Sequence, residues 1–462
     1  MMDSHKFTVK EAVLIMLVTI GSIGACLVAG ISMVYGFLVA LMATGAMLIK
    51  YGASADKIGR TLRHGVWECR MIYVIIVLMG ATIATWIASG VVPMLIYYGF
   101  IYIEGLNFLF ASFVILALLS YVMGTAIGTI STVGVALYGI GIGFGIPKEI
   151  IIGTLVSGAF IADKVSPISG LMNLTIATVG TDYKRYMKEE MKTLSIGIIV
   201  CLIFYYILGN QYTVGTFGPE VTSFSSGILE VFHLTPWLLL FPVLVVVLAL
   251  RGVSTINTMS ICVALGSVVA IVYQGVSISM LLGWLWNGVH LSSGVEAVDS
   301  IIKGGGVKPM IEVILIVMSA VALSSLFELG GVFDPVINAL IGDTRNPGKL
   351  LRRTAILSMV LTSITCDQTV GIIVPGKQLK DRYLESGLTE AHLASAISDS
   401  GTILAPIEFW NVNALILMAI FSINPVQYVP YAILCYGMPL IVIGRGLMMS
   451  GITNKIGVNK HE

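Results

Sequence analysis

The stretch SGAFIADKVSPISGLMNLT, residues 157–175, places an Asp-Lys pair, a proline and a row of hydroxyls among apolar segments long enough to be membrane helices. A charged side chain inside hydrocarbon costs roughly 2.5–3.5 kcal/mol on insertion scales, so such residues usually mark an ion or substrate path. A second stretch of the same character, SAISDSGTILAPIEFWNVN, occupies residues 395–413. We interpret the rest of the chain as a frame that holds these two polar segments against each other in mid-membrane.

The composition places the chain among membrane proteins. Of its 462 residues, 57% are hydrophobic and 11% are charged, and the mean hydropathy is +0.95. Soluble domains carry about 25% charged residues, so we predict an all-α polytopic membrane protein embedded in a lipid bilayer. The fifty glycines agree with this, because small residues let membrane helices approach closely. The formal charge of +1 gives no indication of nucleic-acid binding.

The sequence gives no indication of an enzyme or of a bound cofactor. The six cysteines are scattered, mostly within apolar segments, and they show no CxxC or Cys/His spacing. We interpret them as small buried hydrophobic residues and not as metal ligands or a disulfide framework. There is no phosphate loop and no nucleophile–base arrangement, so we expect transport driven by gradients and not by hydrolysis.

Basic loops and apolar runs divide the chain into regions. The segment 50–70 contains five Lys and Arg residues, which predicts a cytoplasmic amphipathic segment by the positive-inside rule. The segment 181–192 is also basic, and we predict it to be a cytoplasmic loop that closes a re-entrant hairpin at 150–180. The predicted regions are two N-terminal transmembrane helices with the amphipathic segment (1–70), a first repeat (71–209), a connecting loop and helices (210–308), a second repeat (309–445) and a C-terminal tail (446–462).

The two repeats are visible in the sequence. MIYVIIVLMGA at 71–81 aligns with MIEVILIVMSA at 310–320, and three later landmark pairs keep nearly the same offset. The predicted topology starts the first copy inside and the second copy outside, so the copies are inverted. Inverted-topology repeats with broken helices and re-entrant hairpins are characteristic of secondary transporters, whose sites lie near the midplane at the repeat interface.

In the first repeat, two segments contain candidate ligands. The Gly/Thr cluster at 124–132 offers Thr125 and Thr129, and carbonyls freed where a helix unwinds there would suit Na+, although Gly and Thr also serve simply to pack membrane helices. Asp163 is a candidate cation ligand, proton carrier or salt-bridge partner. Lys164 could replace a cation or neutralise Asp163. Further hydroxyl and amide candidates in this stretch are Ser166, Ser169 and Asn173.

In the second repeat, Asp367 and Gln368 lie inside an apolar run, where packing alone does not explain them. Asp399 and Glu408 flank a proline and are the strongest candidates, together with Asp163, for groups that gain and lose protons. The other polar candidates of this repeat are Ser400, Thr402, Trp410, Asn411 and Asn413.

Several motifs taken together resemble the NhaC family of Na+/H+ antiporters, which includes sodium-linked malate/lactate exchangers. The resemblance runs from about residue 70 to about residue 445 and rests on TWIASGVVPMLIYYG (85–99), GTAIGTISTVGVAL (124–137), SGAFIADKVSPIS (157–169), DQTVGIIVPGK (367–377) and SDSGTILAPIEFWN (398–411). It implies Na+ and H+ as coupling ions, a bacterial inner membrane location and homodimerisation.

The chain departs from the family pattern beside the first polar stretch. In the family, SPxS is commonly followed by Asp-Thr-Thr-Asn, whereas Gly170, Leu171, Met172 and Asn173 stand here. The loss of a carboxylate and two hydroxyls weakens a simple cation site and leaves more space for an organic solute.

Two functional hypotheses follow. The first is an antiporter coupled to Na+ and/or H+ that works by alternating access, in which Asp163, Asp367 and Asp399 share the cation and the proton. The alternative is a Na+-coupled transporter or exchanger of a small carboxylic or amino acid. A channel or scaffold is disfavoured, because a pore does not need paired broken repeats. We assign ion or proton binding to Asp163, Asp367, Asp399, Thr125, Thr129, Ser166, Asn173, Ser400 and Thr402, and substrate binding to Ser169, Gln368, Glu408, Trp410, Asn411 and Asn413.

Overall fold

The computed structural model describes residues 7–102, 106–212, 227–291, 299, 304–342 and 344–458. In these ranges the regular structure is helical, apart from one isolated bridge between Val289 and Gly304. Nine helical segments of the described chain are long and apolar enough to cross a membrane: Val9–Ala29, Met33–Lys50, Arg70–Ala88, Ala126–Gly143, Lys148–Val179, Tyr183–Tyr212, Val307–Leu329, Glu390–Phe421 and Ile433–Ser450. The chain is therefore an all-α polytopic membrane protein, as its composition predicts.

The N-terminal helices pack against Val307–Leu329, the helix that begins the predicted second repeat. We call the parts of the chain that contain the predicted first and second repeats the first half and the second half. Val9–Ala29 ends at Gly30, whose positive φ of 67° turns the chain into Met33–Lys50. The next helix, Ala55–Glu68, is amphipathic and contacts Val307–Leu329. A side chain at Gly65 would collide with Ser325 of that helix, so the glycine permits the close contact.

A break interrupts a helix at the same place in each half. The helix Phe108–Met123 ends at Gly124 (φ 67°), and the chain resumes a helix after the extended Thr125. The helix Pro347–Thr365 ends at Cys366 (φ 59°), and the chain resumes a helix after the extended Asp367. We call these the first break and the second break. The left-handed conformation is costly for a residue with a side chain, so its presence at Cys366 shows that the backbone turn is kept without glycine.

The same residue spacing that relates the two breaks relates later features. Ser169 and Asn411 are the N-caps of Gly170–Val179 and Val412–Phe421. These two helices end at Gly180 and Ser422, both in the left-handed conformation. The repeated backbone supports the internal duplication read from the sequence, while the inverted orientation of the copies stays a prediction.

One predicted loop is a helix. Residues 183–192 of the segment predicted as a cytoplasmic loop begin the continuous helix Tyr183–Gly209, which Asp182 caps by accepting a hydrogen bond from the Arg185 amide. Its buried face recurs every three or four residues, at Tyr186, Glu190, Thr193, Gly197 and Cys201. An excess of basic residues indicates the side of the membrane on which a segment lies, whereas the spacing of its buried residues indicates a helix. The prediction of a loop at residues 183–192 is therefore wrong.

The two halves cross-pack at their breaks. Gly170–Val179 of the first half contacts Gln368–Gln378, which follows the second break. Val412–Phe421 of the second half contacts Ala126–Thr129, which follows the first break. The polar ends of four helices therefore meet at the contact between the halves.

Candidate functional site

A cavity of about 430 Å³ lies where the two halves meet. The first half contributes Thr125 and Asp163 to its wall, and the second half contributes Gln368 and Asn413. Among the described residues that line it, Asp163 is the only acidic one, and none is basic. We call this space the central cavity; its charge and its polar oxygens suit a cation.

Asp163 occupies the short helical turn Ala162–Val165 and is almost completely buried. The Ser169 hydroxyl, 3.4 Å away, donates a hydrogen bond to Asp163 Oδ1. No basic side chain of the described chain forms an ion pair with Asp163. The neighbouring Lys164 therefore does not neutralise it, which removes one of the alternatives raised from the sequence.

Amide side chains connect the cavity wall to the second polar segment. Gln368 Nε2 donates to the Thr402 carbonyl at 2.6 Å, and Asn413 Nδ2 donates to Gln368 Oε1 at 3.0 Å. Asn413 also donates to Asn411 Oδ1 at 3.2 Å. Thr402 ends a π-helical turn, Ser398–Thr402, and its carbonyl is held by this contact. The structure thus brings together four residues that the sequence analysis selected.

The first break directs its polar groups largely toward its own backbone. Thr125 Oγ1 accepts a hydrogen bond from the Gly128 amide at 3.3 Å, and Thr129 Oγ1 donates to the Thr125 carbonyl at 2.7 Å. Thr125 lines the central cavity, whereas Thr129 does not. Of the two threonines, Thr125 is therefore the one placed to contact a ligand.

The second break uses its carboxylate as a cap. Asp367 Oδ1 accepts hydrogen bonds from both the amide and the hydroxyl of Thr369, each at 3.2 Å. Asp367 does not line the central cavity. It occupies the position that Thr125 occupies in the first break, and an N-cap carboxylate also favours the helix N-terminus electrostatically. Its contacts thus explain a charged residue there without a bound ion.

A second charged cluster is fully buried on the other side of the Ala162–Val165 turn. Lys164 Nζ lies 2.5 Å from Asp399 Oδ1 and 2.7 Å from Glu190 Oε1, and all three side chains have zero exposure. We call these three residues the charged triad. Thr193 Oγ1 donates to Asp399 Oδ2 at 2.6 Å, and Ser395 lies 3.3 Å from the same oxygen. Asp399 was selected from the sequence, but here it is paired with a lysine and does not line the cavity.

Glu190 is the polar residue that the sequence analysis missed. It lies in the basic segment predicted to be a cytoplasmic loop, where a glutamate would be exposed to water and would need no functional explanation. The periodic spacing of Tyr186, Glu190 and Thr193 with small residues further along was the signal that could have found it.

The remaining candidates bond mainly to backbone carbonyls. Ser166 Oγ donates to the Tyr121 carbonyl at 2.6 Å, and Asn173 Nδ2 donates to the Pro167 and Ser169 carbonyls at 2.9 Å each. The Ser400 hydroxyl donates to the Ala396 carbonyl. Such bonds satisfy carbonyls that a broken helix would leave without donors.

Glu408 and Trp410 form a separate cluster with the end of Pro347–Thr365. Glu408 accepts hydrogen bonds from the Ser363 hydroxyl and from Asn411 Nδ2, the latter at 3.1 Å. Trp410 Nε1 donates to the Ser363 carbonyl at 2.7 Å. Neither residue lines the central cavity, but Asn411 connects Glu408 to Asn413 and so to the amide groups of the cavity wall.

More than half of the chain matches a known protein family. The sequence pattern of the Na+/H+ antiporter family matches residues 170–451, which is more than half of the chain. The chain belongs to the Na+/H+ antiporter family. This confirms the resemblance found in the motifs, and the chain is a coupled antiporter and a multi-pass bacterial membrane protein.

Three relatives show the range of the matches. The Na+/H+ antiporter NhaC of Alkalihalophilus pseudofirmus is 28% identical over 82% of this chain and 82% of its own length. The malate-2H+/Na+-lactate antiporter of Bacillus subtilis is 27% identical over 88% and 86% of the two chains. The arginine/ornithine antiporter ArcD of Halobacterium salinarum is 26% identical over 85% and 80%.

Proposed function

We propose that this protein exchanges Na+ for H+ by alternating access and that the central cavity holds the cation. The observation that carries the proposal is a cavity lined from both halves in which Asp163 is the one charged side chain among the described lining residues. Because the cavity lies at the contact between the halves, rocking one half against the other would expose it to each side in turn.

The chemistry of the wall suits an alkali cation. Asp163 supplies a carboxylate without a basic partner, and Thr125, Gln368 and Asn413 supply hydroxyl and amide groups. Hard cations prefer oxygen ligands of this kind. The glycines of the wall, including Gly124 and Gly170, leave backbone groups accessible beside the cavity.

The size of the cavity favours a second candidate, exchange of a small organic acid or amino acid coupled to Na+. A volume of about 430 Å³ falls in the range of roughly 300–1,000 Å³ typical of small-molecule sites. Two relatives are named for such exchange, one for malate and lactate and one for arginine and ornithine. The apolar Leu171 in the wall stands where the family pattern has a hydroxyl residue.

Flux measurements in proteoliposomes test the proposal. With no organic solute present, an outward Na+ gradient should draw protons in and acidify the lumen, and an inward Na+ gradient should alkalinise it, as reported by a pH-sensitive dye. Asp163→Asn should lower this flux at least about tenfold, which corresponds to the loss of about 1.4 kcal/mol of cation binding. Asp182→Asn is the matched control, because Asp182 is an exposed helix cap and asparagine also caps helices.

Normal flux in Asp163→Asn would contradict the assignment of the cation site to the central cavity. Silence of the unmodified protein until malate, lactate, arginine or ornithine is supplied would replace Na+/H+ exchange by the second candidate.

A further inference from the structure

We propose that Glu190 and Asp399 form a proton-binding site separate from the cation site. The proposal rests on the proposed function, because it assigns the proton of that exchange to the charged triad and the cation to the central cavity. Neither carboxylate lines the cavity, so the two ions would not compete for one ligand.

The charge of the triad carries the first part of the argument. Two carboxylates face one ammonium group, and all three side chains have zero exposure, so the cluster has a net charge of −1 when both acids are ionised. An uncompensated buried charge is strongly unfavourable. Addition of one proton from water to a carboxylate oxygen brings the cluster to zero without breaking any other bond.

The hydrogen bonds indicate where that proton adds. Asp399 is well supplied with donors, since Lys164 contacts Oδ1 and the Thr193 hydroxyl contacts Oδ2. Glu190 Oε2 is buried and receives no hydrogen bond from any described group. An oxygen without a donor is the one that gains most from carrying a proton itself.

The surrounding groups leave this charge uncompensated. The polar groups around the triad are neutral hydroxyls: Thr193 and Ser395 contact Asp399, and Tyr186 donates to the Lys164 carbonyl. The triad also meets the Ser398 hydroxyl, which begins the π-helical turn, and the Cys435 thiol lies close to Lys164. Tyrosine and cysteine carry no charge at neutral pH in their ordinary state.

The other nearby charges are engaged elsewhere. Glu189, next to Glu190, forms ion pairs with Lys192, His392 and Arg445. These basic groups contact Glu189 and form no ion pair with Glu190 or Asp399 among the described residues.

The turn Ala162–Val165 connects the two sites. Asp163 faces the central cavity, and Lys164, the next residue, binds the two acids of the triad. For scale, a unit charge at a separation of about 10 Å in an effective dielectric of about 20 corresponds to a roughly 15-fold change in cation affinity. Protonation of the triad therefore weakens Na+ binding at Asp163, and Na+ binding favours release of the proton. This reciprocal effect is the coupling that an antiporter needs.

Glu190→Gln tests the proposal, with Glu189→Gln as the matched control on the same helix. The glutamine leaves a neutral triad, so the Na+ affinity should stay at its low-pH value, roughly 15-fold weaker than that of the unmodified protein at alkaline pH. Na+/Na+ exchange in proteoliposomes should persist, while Na+-driven proton flux should be lost. If Glu190→Gln matches Glu189→Gln in proton flux and in the pH dependence of Na+ affinity, the proposal is overturned.

A second measurement tests the proposal if the Glu190→Gln protein fails to insert into the membrane. Infrared difference spectra of the Asp163→Asn protein should still show a buried carboxyl group that gains and loses a proton with pH, although Na+ no longer perturbs it. Loss of that carboxyl band in Asp163→Asn would place the proton on Asp163 and overturn the proposal. Retention of Na+ transport by Asp163→Asn would instead contradict the cavity assignment and leave the band as an independent result.

Discussion

Replacement of Lys164 by methionine removes the one positive charge of the triad while keeping a long, unbranched side chain. Lys164 Nζ contacts Asp399 at 2.5 Å and Glu190 at 2.7 Å, and none of the three side chains is exposed. Removing one partner of a buried ion pair typically destabilises a protein by about 3–5 kcal/mol, because the other charge is left without compensation. We expect Lys164→Met to lower the free energy of unfolding by this amount at neutral pH.

The loss should depend on pH with a definite sign. The folded variant has two buried acids and no ammonium group, so it must bind about one more proton than the unmodified folded protein. When the folded state binds more protons than the unfolded state, stability falls as pH rises, by about 1.4 kcal/mol per pH unit for each extra proton. Lys164→Met should therefore recover stability as pH is lowered and lose it as pH is raised.

Equilibrium unfolding in mixed micelles, with increasing dodecyl sulfate at several pH values, measures both effects. Lys192→Met is the matched control, because the Lys192 side chain is half exposed and its pair with Glu189 should contribute about 0–1 kcal/mol. A triple variant, Lys164→Met with Glu190→Gln and Asp399→Asn, removes every charge of the triad and should regain most of the lost stability.

Two results would refute this reasoning. The first is a Lys164→Met protein that is no less stable than Lys192→Met, which would mean that the triad is not buried as a charged cluster. The second is a stability of Lys164→Met that rises with pH, which would mean that the two acids do not take up a proton when the lysine is absent.

Two further predictions concern the breaks and the polar cluster beside them, and the same unfolding titration measures both. Gly124→Ala should destabilise the protein by at least about 1–2 kcal/mol, because the left-handed backbone disfavours a side chain and the new methyl group would meet Ile168. Cys366→Gly, at the equivalent turn, should change stability by less than about 1 kcal/mol. Equal losses in the two variants would contradict the equivalence of the two turns. Trp410→Phe should cost about 0.5–1.5 kcal/mol through loss of the hydrogen bond to the Ser363 carbonyl, and an unchanged stability would show that the bond is not formed.

Much of the architecture was readable from the order of apolar and polar residues. Hydropathy predicted a polytopic helical protein, and the Gly/Thr cluster at 124–132 marked the first of the two places where helices break. These features are local: a helix in a membrane needs a long apolar run, and it breaks where glycine or a capping side chain ends its hydrogen bonding. The same local character explains why the family motifs were recognisable.

The roles of the charged residues were less accessible. Asp367 was assigned to the ion site from its isolation in an apolar run, yet its carboxylate caps a helix through Thr369. Glu190 escaped selection because it lies among the charges of a basic segment, yet it is fully buried. Sequence composition reports how many charges a segment has, but not which of them a helix turns toward its neighbours.

The order of residues was enough to predict a membrane-spanning chain with two related, interrupted halves and to recognise its resemblance to Na+/H+ antiporters. The packing of the helices was needed to show that the adjacent Asp163 and Lys164 lie at different places, the central cavity and the charged triad. Successive residues of a helical turn point about 100° apart, so neighbours in sequence face different surroundings. Of the two partners of Lys164, Glu190 comes from the helix Tyr183–Gly209 and Asp399 comes from the second half, so the contact with Asp399 depends on how the two halves pack.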